Sequence, residues 1–166
     1  MPIDDTPWHA IWTRSRAEKS VHDQLVQKRI EAFLPTVRRL SRWKDRQKEI
    51  AWPLFPGYCF ARFDSTRLLD VLTCTGVAQV ILQDGKPAPI PSAEIDAIQR
   101  LVETHYKFDP CPFLKEGDDV EVVHGPLEGV SGRLIRKGPN ARLVLAITMI
   151  NRAVAVAFDA ADVRKR

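Results

Sequence analysis

Pro53-Leu54-Phe55-Pro56-Gly57-Tyr58-Cys59-Phe60 is an apolar and aromatic stretch broken by one Pro-Gly pair. Pro53 and Pro56 stiffen it, because a proline ring fixes φ and removes a backbone donor. Gly57 permits a backbone angle or a close approach that a side chain would forbid. Joining two strands needs nothing so stiff or so aromatic. The stretch therefore reads as a shaped, exposed surface that docks a partner.

A strand pattern begins inside it. Tyr58, Phe60 and Arg62 share one face, and Cys59, Ala61 and Phe63 the other. The second set reads as core. The first ends in a charge, so that face meets water or a partner. Upstream lies residues 38–48, where six of eleven side chains are Arg or Lys, with one Asp and one Trp. This predicts a protruding hairpin with Lys44 and Asp45 near its tip, returning through Glu49, Ile50, Ala51 and Trp52. A basic loop with an embedded aromatic suits a phosphate backbone or a single strand, and Arg42, Lys44 and Arg46 are its candidate contacts. The plainer alternative is a solvated loop whose charges keep a sheet edge from aggregating.

Further towards the N-terminus, residues 1–7 read as a disordered lead and residues 8–14 as a strand. Trp8, Ala10 and Trp12 share one face; His9, Ile11 and Thr13 share the other. A strand apolar on both faces is either covered twice or partly exposed for binding. Ser15 followed by Glu18 matches a capping box and predicts a helix to about Arg29. Ala17, Val21 and Leu25 line its inner face with the stem of Lys28, and Val26 and Ile30 widen it. Arg16, Lys19, His22, Asp23 and Gln27 face outward, either simply solvated or against nucleic acid. Residues 31–37 read as a second strand, with Pro35 placing it near an edge or bulge.

Downstream, Asp64 or Ser65 caps a short helix to Leu72, with Leu68, Leu69 and Leu72 inward. Residues 76–82 form another strand, and Asp84-Gly85 is a hairpin turn signal. Ser92 caps a helix carrying Ile95, Ile98, Leu101 and Val102. Residues 105–113 have two prolines and no periodicity, which reads as an interdomain linker. Beyond it the pattern is almost all strand: residues 118–123, 130–135, 142–148 and 153–158, with turns at Gly125-Pro126 and Gly138-Pro139, closed by Asp162-Val163. About five strands in some 50 residues suit a small SH3-like barrel.

The chain has 166 residues, 45% apolar content and a net charge of +4. That bounds it to one or two small domains and only hints at nucleic acid. No run is long enough to span a bilayer, and residues 1–5 do not begin a signal peptide. Cys59, Cys74 and Cys111 are odd in number and lack CxxC spacing, which argues against disulfides and zinc and fits a reducing cytoplasm. His9, His22, His105 and His124 are scattered. There is no GxSxG, P-loop or GxGxxG. The sequence argues for a binding protein without metal or cofactor; a small enzyme using Cys59 with a histidine is the remote alternative.

The order of parts resembles the NusG family of transcription elongation factors. The match covers a Trp-led first strand, a basic first helix, a Phe33-Leu34-Pro35 strand, a basic hairpin and Pro53-Leu54-Phe55-Pro56-Gly57-Tyr58. It continues through Thr75-Gly76-Val77 and a linker to a Gly-rich run, residues 119–136, carrying Gly125, Gly129 and Gly132. The resemblance implies an α+β fold. An NGN domain at residues 8–104, an antiparallel sheet packed with helices, would precede the linker at 105–113 and a KOW domain at 114–166. It implies a monomer that binds the β′ clamp helices of RNA polymerase, bridges the cleft towards the β subunit and suppresses pausing. Trp8, Phe55, Pro56 and Tyr58 match the family's polymerase contacts. Arg14, Arg16, Lys19, His22, Gln24 and Lys28, with Cys74-Thr75, match positions that touch non-template or upstream DNA in specialised members. Met149, Ile150, Asn151 and Arg152 match the KOW loop that contacts a small-subunit ribosomal protein or Rho. Asn151, where general members tend to have glycine, leans towards a specialised paralogue. A ribosome-associated or RNA-binding KOW protein is the alternative.

Overall fold

Strand β1 (Trp8–Thr13) has neighbours on both sides in a four-stranded antiparallel sheet. The computed structural model describes residues 5–43, 46–104, 106–111, 113–114, 117–137, 140–158 and 162–166. They fall into two compact units, Met1–Pro89 and Ile90–Arg166. In the first, α1 (Glu18–Gln27) is followed by β2 (Glu31–Phe33), β3 (Thr36–Trp43), β4 (Arg46–Pro53), β5 (Tyr58–Arg62), α2 (Leu68–Leu72) and β6 (Val77–Val80). The sheet order is β2-β5-β1-β6. One face of the sheet and α1 share a core of Ile11, Val21, Leu25, Cys59, Ala61 and Phe63, joined by Val71 of α2. Cys59 and Phe63 sit in it as the alternation indicated.

The opposite face departs from expectation. Tyr58 and Phe60 are 6% and 0% exposed, so that face does not meet water. Phe60 packs between Phe33 and Phe55, with ring centroids 6.3 and 6.1 Å away. Of the two readings left open for β1, double coverage holds everywhere but at Trp12, which is 45% exposed.

Local signals were displaced where distant groups competed for them. Ser15 caps nothing: the cap position is Ala17 and no side chain bonds there. Arg16 adopts φ +61°, which turns the chain between Ser15 and the helix. Val26 lies off the inner stripe and is exposed. The strand read over residues 31–37 is two strands broken at Leu34-Pro35. Asp64 caps a 3-10 turn by accepting the Thr66 N–H at 2.9 Å. Leu69 and Leu72 of α2 face outward, and Val71 is the buried residue. Asp70, between them, holds Arg67 at 2.6 Å. The basic hairpin is present as β3 and β4, paired from Thr36↔Pro53 to Trp43↔Arg46 in a sheet of their own. Asp84-Gly85 turns a second hairpin, β7 (Leu82–Gln83) to β8 (Lys86–Pro87).

The second unit begins with α3 (Ser92–Val102), whose Ile95, Ile98 and Leu101 are buried. Pro91, not Ser92, takes the cap position. The strands are β9 (Phe108–Cys111), β10 (Asp118–Val122), β11 (Ser131–Lys137), β12 (Asn140–Ile147), β13 (Arg152–Ala157) and β14 (Val163–Lys165). They form one antiparallel sheet in the order β14-β10-β11-β12-β13-β9. The sixth strand, β9, lies inside the residues read as a linker. Pro110 obscured it, yet proline is tolerated on an edge strand, and β9 is an edge. Leu143, Leu145, Ile147, Val154 and Val156 are buried along β12 and β13.

Candidate functional site

The turn between β4 and β5 is tied to β1 and α1. Leu54 N–H donates to the Pro35 carbonyl at 2.8 Å, Tyr58 N–H to Phe55 at 3.1 Å and Thr13 N–H to Gly57 at 2.8 Å. The N–H of Gly57 donates to a carboxylate oxygen of Glu18 at 3.1 Å. The acid read as half of a capping box is therefore occupied 39 residues away, and it is buried. Gly57 sits at φ +88°, the left-handed region where a side chain is disfavoured.

This geometry corrects the reading of the turn as an exposed aromatic surface. Trp8, Phe55 and Tyr58 are 5%, 2% and 6% exposed, and only Pro56 of the four candidates is open. Trp8 lies under the guanidinium of Arg62, 5.9 Å from the ring centroid. Trp12 is an exposed ring beside the turn, as is Trp52 at the end of β4. Trp12 is paired with Tyr58 across the strands and meets that ring edge-on at 5.4 Å. The sequence reading grouped Trp12 with Trp8 and did not single it out. Its signal was its place at the end of the strand, opposite the first residue after the turn.

The candidate nucleic-acid residues separate into two sets. Arg14, Arg16 and Lys19 are exposed and, among the described residues, carry no side-chain hydrogen bond or ion pair. Gln24 is instead engaged at both ends of its amide: Nε2 donates to the Thr75 carbonyl at 2.8 Å, and Oε1 accepts the Thr75 N–H at 2.8 Å. Lys28 Nζ donates to the Asp70 carbonyl at 2.7 Å and to Thr73 Oγ1 at 3.1 Å. His22 stands 3.1 Å from its neighbour Asp23. Cys74 is buried and Thr75 exposed. Arg42 and Arg46 fall on the paired ends of β3 and β4; Lys44 lies outside the described residues.

In the second unit, Thr148–Ile150 forms a 3-10 turn that ends at Asn151 in the left-handed conformation. Ile150 is buried, Met149 is half-buried, and Asn151 and Arg152 are exposed. A carboxylate oxygen of Glu94 accepts the Thr148 N–H at 3.1 Å, and its partner oxygen accepts the hydroxyl at 3.0 Å. Burial pushes the Glu94 carboxyl above its usual range, against the pull of these bonds.

Cys59 is buried and its thiol is pushed up to about 12, chiefly by desolvation, so it stays protonated and inert. Among the described residues no His, Cys, Asp or Glu cluster could hold a metal ion. Among them too, no helix is long and apolar enough to cross a membrane.

Residues 6–99 match the family described as "Transcription termination factor nusG". The chain is 30% identical over 132 residues to the "Transcription termination/antitermination protein NusG" of Helicobacter pylori strain J99, covering 72% of this chain and 74% of that protein. The protein of the same name from strain 26695 aligns to the same extent. A solved structure titled "Domain interaction in Thermotoga maritima NusG" superposes with a TM-score of 0.55 at 22% identity, over 96% of both chains. At that identity the likeness concerns the fold.

Proposed function

Because the chain belongs to the NusG family of transcription factors, we propose that it is an elongation and antitermination factor that holds RNA polymerase across its cleft. Family members are non-catalytic, so the protein acts by binding. The observation that carries this reading is the family match over residues 6–99, which contains the whole tied turn and the strands around it.

In this proposal residues 8–104 are the NGN domain, and the turn docks on the β′ clamp helices, with the β subunit across the cleft. Trp12 and Pro56 form the outer layer of the docking face. Tyr58 and Phe55 support it from beneath, and Trp8 extends it along β1. An exposed aromatic seated on a rigid apolar base is the usual form of an interface hot spot. Arg14, Arg16 and Lys19 meet non-template or upstream DNA, helped by the basic hairpin. Residues 105–113, whose β9 joins the sheet of the second unit, lead into a KOW domain at 114–166 that closes as an SH3-like barrel. Its exposed Asn151 and Arg152, with Met149, recruit a small-subunit ribosomal protein or Rho. Asn151 at the loop tip favours a specialised paralogue.

Pull-down of core RNA polymerase tests the docking face. Trp12→Ala and Pro56→Ala alter exposed side chains and leave the core intact. Each is expected to weaken capture about tenfold or more; unchanged capture by both variants overturns the face. Phe55→Ala and Tyr58→Ala remove buried rings, so their loss of capture counts only at temperatures where melting shows them folded.

A further inference from the structure

The segment Thr73 to Gly76 is held from one side by residues 14–28. Gln24 closes a two-bond amide pair with Thr75, both contacts at 2.8 Å. Lys28 holds Asp70 and Thr73 at 2.7 and 3.1 Å. Arg67 Nη2 donates to the Lys28 carbonyl at 2.7 Å, locking the end of α1 against the start of α2. Arg14 N–H donates to the Gly76 carbonyl at 2.8 Å. A Cβ on Gly76 would stand 2.8 Å from the Cβ of Ala17, so the two backbones approach as closely as glycine allows.

These contacts fix the Thr75 loop against the backbone of Arg14 and the side chains of Ala17 and Gln24; Arg14, Arg16 and Lys19 are the cations of the same stretch. Those three cations are exposed, and among the described residues their side chains have no partner. Arg16 is also held at φ +61°, a conformation that costs free energy and tends to persist where function requires it. Gln24 lies on α1 and Lys28 caps its end, but their polar atoms are already engaged by Thr75, Asp70 and Thr73.

We infer that Gln24 and Lys28 are positioning residues that set the Thr75 loop against the turn carrying Arg14 and Arg16, and that Arg14, Arg16 and Lys19, not Gln24 or Lys28, contact the DNA phosphates. This rests on the nucleic-acid part of the proposed function and divides its contacts into two chemical roles. A cation that neutralises a phosphate releases counterions and so steepens the salt dependence of binding. A residue that orders a loop changes affinity without changing that slope.

The test is titration of the full chain with a single-stranded DNA and its duplex over a series of NaCl concentrations. Arg14→Gln and Lys19→Gln are expected each to flatten the log K against log salt slope, by about 0.7 on the single strand or about 0.9 on the duplex. Gln24→Ala and Lys28→Gln are expected to weaken binding roughly three- to tenfold, the range for one to two lost hydrogen bonds, with the slope unchanged. Flattening by Lys28→Gln equal to that of Arg14→Gln overturns the assignment. So does unaltered affinity in Gln24→Ala. Amide exchange in the free protein reads the clamp separately: Gln24→Ala should accelerate exchange at Thr75 N–H and leave Ile11 N–H protected. Unchanged Thr75 exchange overturns the clamp. A wild-type chain without salt-dependent DNA binding overturns the nucleic-acid reading, and Thr75 exchange still decides the clamp.

Discussion

Two turns of the N-terminal unit are held in the same way and tolerate change differently. Each contains a glycine at positive φ, +88° at Gly57 and +98° at Gly76. Each glycine carbonyl accepts from consecutive residues at the end of β1, Thr13 and Arg14, at 2.8 Å. Each turn also receives a side chain of α1, Glu18 at Gly57 and Gln24 at Thr75. The difference is space. A Cβ at Gly57 would meet nothing within 4 Å, whereas one at Gly76 would lie 2.8 Å from Ala17 and 3.2 Å from Val21. Gly57 is required by its backbone angle alone, and Gly76 by its angle and by the helix packed against it. The Phe55 turn faces outward at its tip; the Thr75 loop is pressed onto α1.

Substitution of both glycines by alanine breaks or confirms this comparison most directly. Gly76→Ala adds an overpacking cost of about 1–3 kcal/mol to a left-handed backbone cost of about 1–2 kcal/mol. Gly57→Ala incurs only the second. Denaturant midpoints should fall further for Gly76→Ala, by about one and a half to four times as much. Equal losses would mean that the close approach to Ala17 does not restrain the loop.

Glu18→Ala comes next. It removes a charge-assisted bond to the Gly57 N–H and the acid from the first turn of α1, an expected loss of about 2 kcal/mol. Glu18→Gln keeps an acceptor and should recover more than half of it. If Glu18→Ala and Glu18→Gln melt alike, the bond to Gly57 contributes little, and the turn is held by backbone bonds alone.

Glu18 also shows where the sequence stopped being legible. A Ser three residues before a Glu is a local pattern, and it pointed to a cap. What decides the role of Glu18 is a backbone N–H 39 residues along the chain, which no local pattern encodes. Local signals served well where neighbours decide the outcome: the Asp84-Gly85 hairpin, the pairing of β3 with β4 in the basic hairpin, and the alternation of Cys59, Ala61 and Phe63. They failed where tertiary contacts decide. The face of Tyr58 and Phe60 carries Arg62 and looked wet, yet Arg62 turns aside to the Thr6 carbonyl at 2.8 Å and to Glu31 at 3.5 Å. Strand β9 was hidden by Pro110, because pairing with β13 is a property of the sheet. The candidate site followed the same division. The Pro-Leu-Phe-Pro-Gly motif and the basic helix drew attention to the proposed region, but the burial of Trp8, Phe55 and Tyr58 beside the exposed Trp12, and the engagement of Gln24 and Lys28, were not legible.

A third contact extends the comparison, and its gripping group titrates. At the start of β1, His9 Nδ1 lies 3.1 Å from the Ala88 carbonyl. A carbonyl only accepts, so Nδ1 carries the proton of a neutral ring. The ring packs on Phe63 with centroids 4.6 Å apart. Burial lowers the pKa of His9, and the backbone carbonyls of Ala88 and Phe63 oppose that only in part. Above the ordinary histidine value near 6.5, folded and unfolded chains both hold the ring neutral, and pH has no effect through it. Below that value the unfolded chain takes up a proton that the folded chain resists. Stability should then fall with pH until the lowered folded pKa is reached, and level off beneath it. His9→Asn, which keeps a donor for Ala88 and does not titrate, should remove this slope while changing little at pH 7.5. Denaturant midpoints measured for both chains between pH 7.5 and 5 isolate the difference. Acid should therefore loosen the contact between His9 and Ala88. A wild-type chain that gains stability over His9→Asn on acidification would show that His9 is held as the cation, and that the contact with Ala88 strengthens with acid.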